Sequence, residues 1–302
     1  MKSSLILGTS ADLTCDGFRP LLEVAQIADQ VGCDIVTVPE HLAMSSNMDE
    51  FIARYGDNPP VDNTTLFAEP MVFMGAVAAL TKKIGLGTSI ILAPLRPALV
   101  MAKQMATLDY MSGGRTTFGL GAGWQKEEFT AANMPWKGRH RHLFEQIEAM
   151  REFWSKAPAS YHGEFIEFDN LISLPFPAQG RNIPLQLGIQ ANDKNIARMA
   201  DLGLGWMPMA DAGLIPNLAE PIRKLRAEYR ARGRDAAEFD VSVFAEYFFD
   251  ASGRPDLDKT LAQVPQYKEA GVTTLIIAPS AFCGTLPEYG PVLEKIERAI
   301  KG

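Results

Sequence analysis

Strand-like and helix-like stretches alternate along this chain from one end to the other, and nothing else in it narrows the choice of fold as sharply. Short apolar or β-branched runs at 5–8, 35–38, 85–92, 116–121, 183–188, 205–207, 240–244 and 274–278 read as buried parallel strands. Apolar residues at helical spacing fill the intervals, at 18–31, 69–80, 98–111, 139–154, 192–202, 217–232, 257–270 and 292–300. Strands that are each followed by a helix, repeated in this way, predict an α/β chain closed as a (β/α)8 TIM barrel. A doubly wound sheet, which usually has fewer strands, ranks second. The 302 residues suit a single barrel domain over 1–302, since such barrels often run past about 200 residues.

One βαβ unit carries most of the remaining signal. A strand ends in the proline-punctuated turn Pro94-Leu95-Arg96-Pro97, a helix stops at Gly113-Gly114, and the next strand runs into Gly119-Leu120-Gly121-Ala122-Gly123-Trp124. The last run begins like the dinucleotide fingerprint G-x-G-x-x-G. Trp124 stands at its sixth position, however, and the run follows the fourth strand rather than the first. A Rossmann site is therefore not expected. Glycines there still let backbone N–H groups approach an anion, the alternative being a tight turn out of the barrel. A second candidate is Gly188-Ile189-Gln190-Ala191-Asn192, where the fifth strand meets its helix. A helix start offers unpaired N–H groups to phosphate, although Asn192 equally suits a plain N-cap. Two such places on one barrel face strengthen the case for a phosphate-bearing cofactor.

Val38-Pro39-Glu40-His41 closes the second strand. Catalytic groups sit at the C-terminal ends of barrel strands, and imidazole suits proton transfer near neutrality; a satisfied structural histidine is the competing reading. Arg96 and the run Arg139-His140-Arg141 are further candidates for anion contact, and Trp124, Trp206 and Phe67 for the wall of an aromatic site. Glu127-Glu128 read as capping or flanking a short helix. Two intervals, 43–66 and 124–180, are too long for plain loops and leave the face where barrel active sites are built. The second holds a helix and a hairpin near 161–165. His140, His142 and His162 fall in or near it and read as surface or lid residues. No histidine pair has ligand spacing, so no metal site is expected.

Charge narrows the partners. A net charge of −7 with no basic cluster argues against nucleic acid. No apolar run approaches the roughly 18 residues of a membrane span, and residues 1–8 read as a first strand rather than a secretion signal. Cys15, Cys33 and Cys283 lie far apart, which fits a reducing compartment. The expectation is a soluble cytoplasmic protein without nucleic-acid or membrane partners.

Taken together, these residues resemble the luciferase-like monooxygenase superfamily, the bacterial-luciferase type of flavin-dependent barrel. The likeness includes Asp34 to His41 with its acid-His ending, and a central block from Thr81 to Leu92. It continues through Leu95-Arg96-Pro97, Ala102-Lys103, Thr107-Leu108-Asp109, Ser112-Gly113-Gly114-Arg115, Gly119 to Trp124 and Glu128-Phe129. Arg139 to Glu145, Ile183 to Gly188 and Leu204-Gly205-Trp206 extend it. The resemblance implies reduced FMN or the deazaflavin F420 in a cleft at the C-terminal face, serving an oxidoreductase or monooxygenase that acts on a small-molecule substrate. It implies oxygen addition with FMN and hydride transfer with F420. It further implies a non-proline cis peptide near Thr88-Ser89, with the isoalloxazine ring against that bulge. The cofactor phosphate would lie between Gly121-Ala122-Gly123 and Gly188-Ile189-Gln190-Ala191-Asn192. His41, with Glu40 beside it, would handle protons. A homodimer and a flavin or F420 reductase supplying reduced cofactor also follow from the resemblance. In the fifth-strand turn relatives frequently carry a second glycine where this chain has Ile189.

Two other readings stand beside it. One is a flavin-binding barrel without catalysis. The other is a phosphosugar isomerase or aldolase barrel, which would want a lysine or carboxylate at a strand end; Glu40 is the nearest. The substrate would be defined by the two insertions, where Met44, Met48 and Phe51 suggest a partly apolar pocket.

Overall fold

In a computed structural model, which describes residues 1–7, 17–49, 52, 63–208 and 215–302, the alternation resolves into strands and helices in the expected order. The strands are β1 (Lys2–Ile6), β2 (Ile35–Val38), β3 (Gly85–Leu92), β4 (Thr116–Gly121), β5 (Ala159–His162), β6 (Glu167–Leu171), β7 (Leu185–Leu187), β8 (Gly205–Trp206), β9 (Ser242–Phe244) and β10 (Thr274–Ile277). Eight of them form one parallel sheet in the order β8-β7-β4-β3-β2-β1-β10-β9, and β5 and β6 form an antiparallel hairpin. A parallel bridge between Trp206 and Val241, with Trp206 N donating to Asp240 O at 2.9 Å, brings β8 to the far edge of the sheet. The expected (β/α)8 barrel is the observed architecture.

The helices are α1 (Arg19–Val31), α2 (Pro70–Leu80), α3 (Ala98–Ser112), α4 (Lys126–Ala131), α5 (Arg139–Phe153), α6 (Asp193–Leu202), α7 (Ala219–Ala231), α8 (Leu257–Leu261), α9 (Val264–Ala270) and α10 (Tyr289–Lys301). Their ends follow local chemistry. Glu69 caps α2 by accepting from Val72 N at 2.7 Å, and α3 stops at Gly113, whose φ of 70° is open to glycine at little cost. Among the described residues no helix is long and apolar enough to cross a membrane.

Several boundaries differ from the sequence reading by two residues or more, and three of them bear on how the elements are built. β1 begins at Lys2 rather than residue 5, because Ser3 and Ser4 are buried and satisfied: Ser3 N donates to Asp34 Oδ2 at 2.9 Å, and Ser4 Oγ lies 3.5 Å from Thr37 Oγ1. The stretch 257–270 is two helices, α8 and α9, with Pro265 in the first turn of the second. The last helix begins at Tyr289, three residues early. The expected strand end at Gly8 and the apolar Phe51 lie outside the described residues.

Buried polar side chains lock the elements that carry the C-terminal mouth. Asp109 of α3 is fully buried and accepts from Thr116 Oγ1 at 2.6 Å, Gln179 N at 2.9 Å and Gln179 Nε2 at 2.8 Å. It thereby ties the return from the long insertion to β4. The insertion after β4 holds α4, α5 and the hairpin, and Glu145 Oε1 accepts from both Phe165 N and Ile166 N at 2.7 Å to seat the hairpin tip on α5.

Candidate active site

The mouth is built around the ends of β2, β3, β4 and β7. β3 holds a non-proline cis peptide between Ser89 and Ile90, one residue beyond the expected place, and its register with β4 shifts between Thr88 and Ile91. Around this bulge the hydroxyls are spent internally. Thr88 Oγ1 donates to Gly119 O at 2.8 Å, and Ser89 Oγ donates to Thr37 Oγ1 at 2.8 Å.

The Ile90 side chain explains why the neighbouring strands are glycine-rich. A Cβ added to Gly119 would lie 2.9 Å from Ile90 Cγ2 and 2.6 Å from Thr88 O. One added to Gly121 would lie 2.2 Å from Ile90 Cδ1, and one added to Gly188 would lie 2.9 Å from the same atom. These glycines therefore make room for Ile90 between β4 and β7. Gly123 differs, with a φ of 76° and a ring edge of Phe129 2.7 Å from where its Cβ would be. Arg139 Nε donates to Gly123 O at 3.0 Å while its guanidinium stacks 3.6 Å from the Trp136 ring centroid.

The two candidate anion turns come together on this face, since Gly188 N donates to Leu120 O at 2.9 Å. The backbone N–H groups of Gly123, Ile189, Gln190 and Ala191 donate to no acceptor among the described residues. Such groups suit an anionic ligand. Asn192 is the N-cap of α6, its Oδ1 accepting from Asn195 N at 2.9 Å. Trp206 Nε1 donates to Ile189 O at 2.9 Å and so fixes the turn from behind. Gln186 is buried on β7 with its Oε1 lacking a partner among the described residues, an open acceptor beneath the mouth.

At the end of β2, Glu40 and His41 part company. Glu40 is 3% exposed; it pairs with the Arg96 guanidinium through both carboxylate oxygens and accepts from Leu92 N at 2.6 Å. Burial pushes its carboxyl above the ordinary range, against the pull of Arg96. Gln146 Nε2, on α5, donates to Arg96 O at 2.9 Å, so Arg96 is a strut between β2, β3 and α5 rather than a free anion contact.

His41 faces the opposite situation. Its Nδ1 lies 3.0 Å from Glu128 Oε2, and its ring sits edge-on to Phe67 and Trp124, with centroids at 5.1 and 5.6 Å. Glu128 Oε1 accepts from Leu42 N at 2.8 Å and from Ala43 N at 3.3 Å. Gln125, one turn earlier, accepts from Ser45 N and donates to Ala43 O, both at 2.7 Å. The expectation for Glu128 was a helix flank; the carboxylate instead reaches back to the end of β2. Gln125, the N-cap of α4, and Glu128 lie three residues apart and meet residues 41–45 together only once the helix forms. Of the other histidines, His142 is buried and stacks on Phe165 at 5.1 Å under the hairpin tip, whereas His140 and His162 lie outside the core.

An imidazole with one nitrogen anchored and the other without a partner among the described residues is equipped to take or give a proton. Comparison with known proteins agrees with the architecture around it. The closed barrel overlays an F420-dependent secondary alcohol dehydrogenase in complex with an F420-acetone adduct at a TM-score of 0.77 and 20% identity, covering 100% of this chain and 99% of that one. An uncharacterised protein of Mycobacterium tuberculosis is 31% identical over 256 residues, 83% of this chain and 84% of its own length. An FMNH(2)-dependent dimethylsulfone monooxygenase of Pseudomonas putida is 29% identical over 226 residues, 74% of this chain and 56% of the relative. The sequence pattern of luciferase-like monooxygenases matches residues 3–273, from the start of β1 to the start of β10. With the barrel, the β3 bulge and the acid-His end of β2 in the matched span, the chain belongs to the luciferase-like monooxygenase family.

Proposed function

We propose that this chain is a cytoplasmic oxidoreductase that binds reduced FMN or F420 at the C-terminal mouth and acts on a small organic molecule. The observation that carries the reading is His41: a histidine at a strand end, anchored through Nδ1 by Glu128 and 11% exposed at its side chain. The flavin or deazaflavin supplies the redox chemistry when bound. The chain's own part is to hold it, exclude water and move a proton.

In this reading the free N–H groups of Gly123, Ile189, Gln190 and Ala191 receive the cofactor phosphate, with Gly121, Ala122, Gly188 and Asn192 shaping the two turns. Thr88 and Ser89, whose hydroxyls are already engaged, contribute the β3 backbone wall. His41 holds or releases a proton at Nε2. Glu40 acts through Arg96 and Leu92 N by keeping the ends of β2 and β3 together. A flavin or F420 reductase would supply the reduced cofactor. A homodimer is supported by exposed apolar side chains along two neighbouring helices, Val72 and Leu80 of α2 and Leu99, Val100, Tyr110 and Met111 of α3.

Titration of the purified protein with reduced FMN and with F420 tests the cofactor. Micromolar binding of one is expected, and binding of neither overturns the reading. His41→Ala should then lose turnover by about a hundredfold while its cofactor Kd stays within twofold. A flavin-binding barrel without catalysis would have no turnover to lose.

A further inference from the structure

We propose that Glu128 sets the tautomer of His41, so that Nδ1 carries the proton and Nε2 is left as the acceptor at the mouth. The proposal rests on the reading of His41 as the proton-handling group only for its catalytic consequence. The tautomer itself follows from the hydrogen bonds. Glu128 has no side-chain exposure, and its Oε1 is committed to Leu42 N and Ala43 N. Oε2 alone faces His41, 3.0 Å from Nδ1. A carboxylate can only accept, so Nδ1 must donate. A neutral imidazole has one proton, and Nε2 is then a lone pair. No hydrogen-bond partner reaches Nε2 among the described residues. Phe67 and Trp124, edge-on at 75° and 76°, hold the ring plane without competing for either nitrogen.

The same geometry makes one isosteric substitution unusually informative. In Glu128→Gln the amide oxygen is the only atom able to accept from Leu42 N and Ala43 N, so it stays on the Oε1 side. The NH2 group is then turned to His41, and Nδ1 is forced to accept. The proton moves to Nε2, and the imidazole presents a donor where the wild type presents an acceptor. Shape and both loop hydrogen bonds survive, which separates this role from that of a plain strut. A strut for residues 42 and 43 would be indifferent to the exchange.

The test is ¹⁵N NMR of the full chain labelled at histidine, without cofactor and above neutral pH, with the His41 signals assigned by their loss in His41→Asn. Wild type should show a protonated Nδ1 and an unprotonated Nε2 at His41, and Glu128→Gln the reverse. An Nε2–H tautomer in wild type, or no change in Glu128→Gln, overturns the proposal. If Glu128→Gln fails to fold, Glu128→Ala serves: loss of the fixed Nδ1–H state supports the proposal, and its persistence overturns it. On cofactor-loaded enzyme Glu128→Gln should lower kcat at least tenfold with KM and cofactor Kd within twofold, whereas an unchanged kcat counts against the assignment. Because the NMR arm needs no cofactor, its failure is distinguishable from a failure of the flavin reading.

Discussion

At the scale of single residues, adjacent side chains at the end of β2 do opposite jobs. Glu40 is closed on both oxygens by Arg96 and Leu92 N, while His41 keeps one nitrogen without a partner among the described residues. Nothing in the dipeptide says which is which, because the difference is made by partners 56 and 87 positions away. The Glu40–Arg96 pair is buried, so its value depends on both members being present. Arg96→Met should leave a carboxylate stranded out of water and destabilise the fold by about 3–5 kcal/mol. Glu40→Gln keeps an oxygen for Leu92 N and should cost less than half as much. Urea denaturation of the two variants measures the order, and a loss of less than about 1 kcal/mol in Arg96→Met would show that the pair does not hold β2 to β3. Arg96 was readable from the sequence only as a cation near a turn; its buried acid partner depends on β2 and β3 being neighbours in the sheet.

At the scale of elements, the alternation of strands and helices was legible because burial on both faces of a parallel sheet leaves apolar runs that survive local variation. The glycines of β4 and β7 were legible as special but not as to why. Gly119, Gly121 and Gly188 converge on Ile90 of β3, one strand over from β4 and two from β7, at the place where β3 shifts register against β4. The three sites predict different penalties. Gly121→Ala meets the flexible end of Ile90, whereas Gly119→Ala meets the carbonyl of Thr88 at 2.6 Å as well. Overpacking of this kind costs about 1–3 kcal/mol, and backbone gives way less easily than a side-chain tip. In an Ile90→Ala background the Gly121→Ala penalty should fall by at least half, while that of Gly119→Ala should persist. A double-mutant cycle on thermal midpoints reads both, and equal relief at the two positions would show that Ile90 alone sets the requirement. The short helix α4 was the least legible element. Its six residues give too little periodicity to tell its faces apart, so Glu128 could not be told from Glu127.

At the scale of the whole molecule, the charged and polar helices that sheathe the barrel leave one face out of pattern. α2 and α3 lie side by side, and along them Val72 is 75% exposed and Met111 64% exposed, with Leu99, Val100 and Tyr110 also open. α2 is almost wholly apolar, Pro70-Met71-Val72-Phe73-Met74-Gly75-Ala76-Val77-Ala78-Ala79-Leu80, which leaves its outer side with nothing to offer water. Apolar side chains gathered on one face mark an interaction surface more often than they mark an accident. A two-fold pairing would let that face cover itself, each α2 and α3 meeting its own copy. The mouth does not need this pairing, since His41, Glu128 and both candidate anion turns belong to one chain. Val72→Glu with Met111→Glu therefore separates assembly from chemistry. Sedimentation should show twice the chain mass for wild type and the single mass for the double variant, with cofactor Kd within twofold of wild type. A wild type that sediments as a single chain at tens of micromolar would mean that this face is not a self-complementary interface. A monomeric variant that also loses cofactor would mean that the pairing props the mouth open, and that assembly and binding are one property of the barrel.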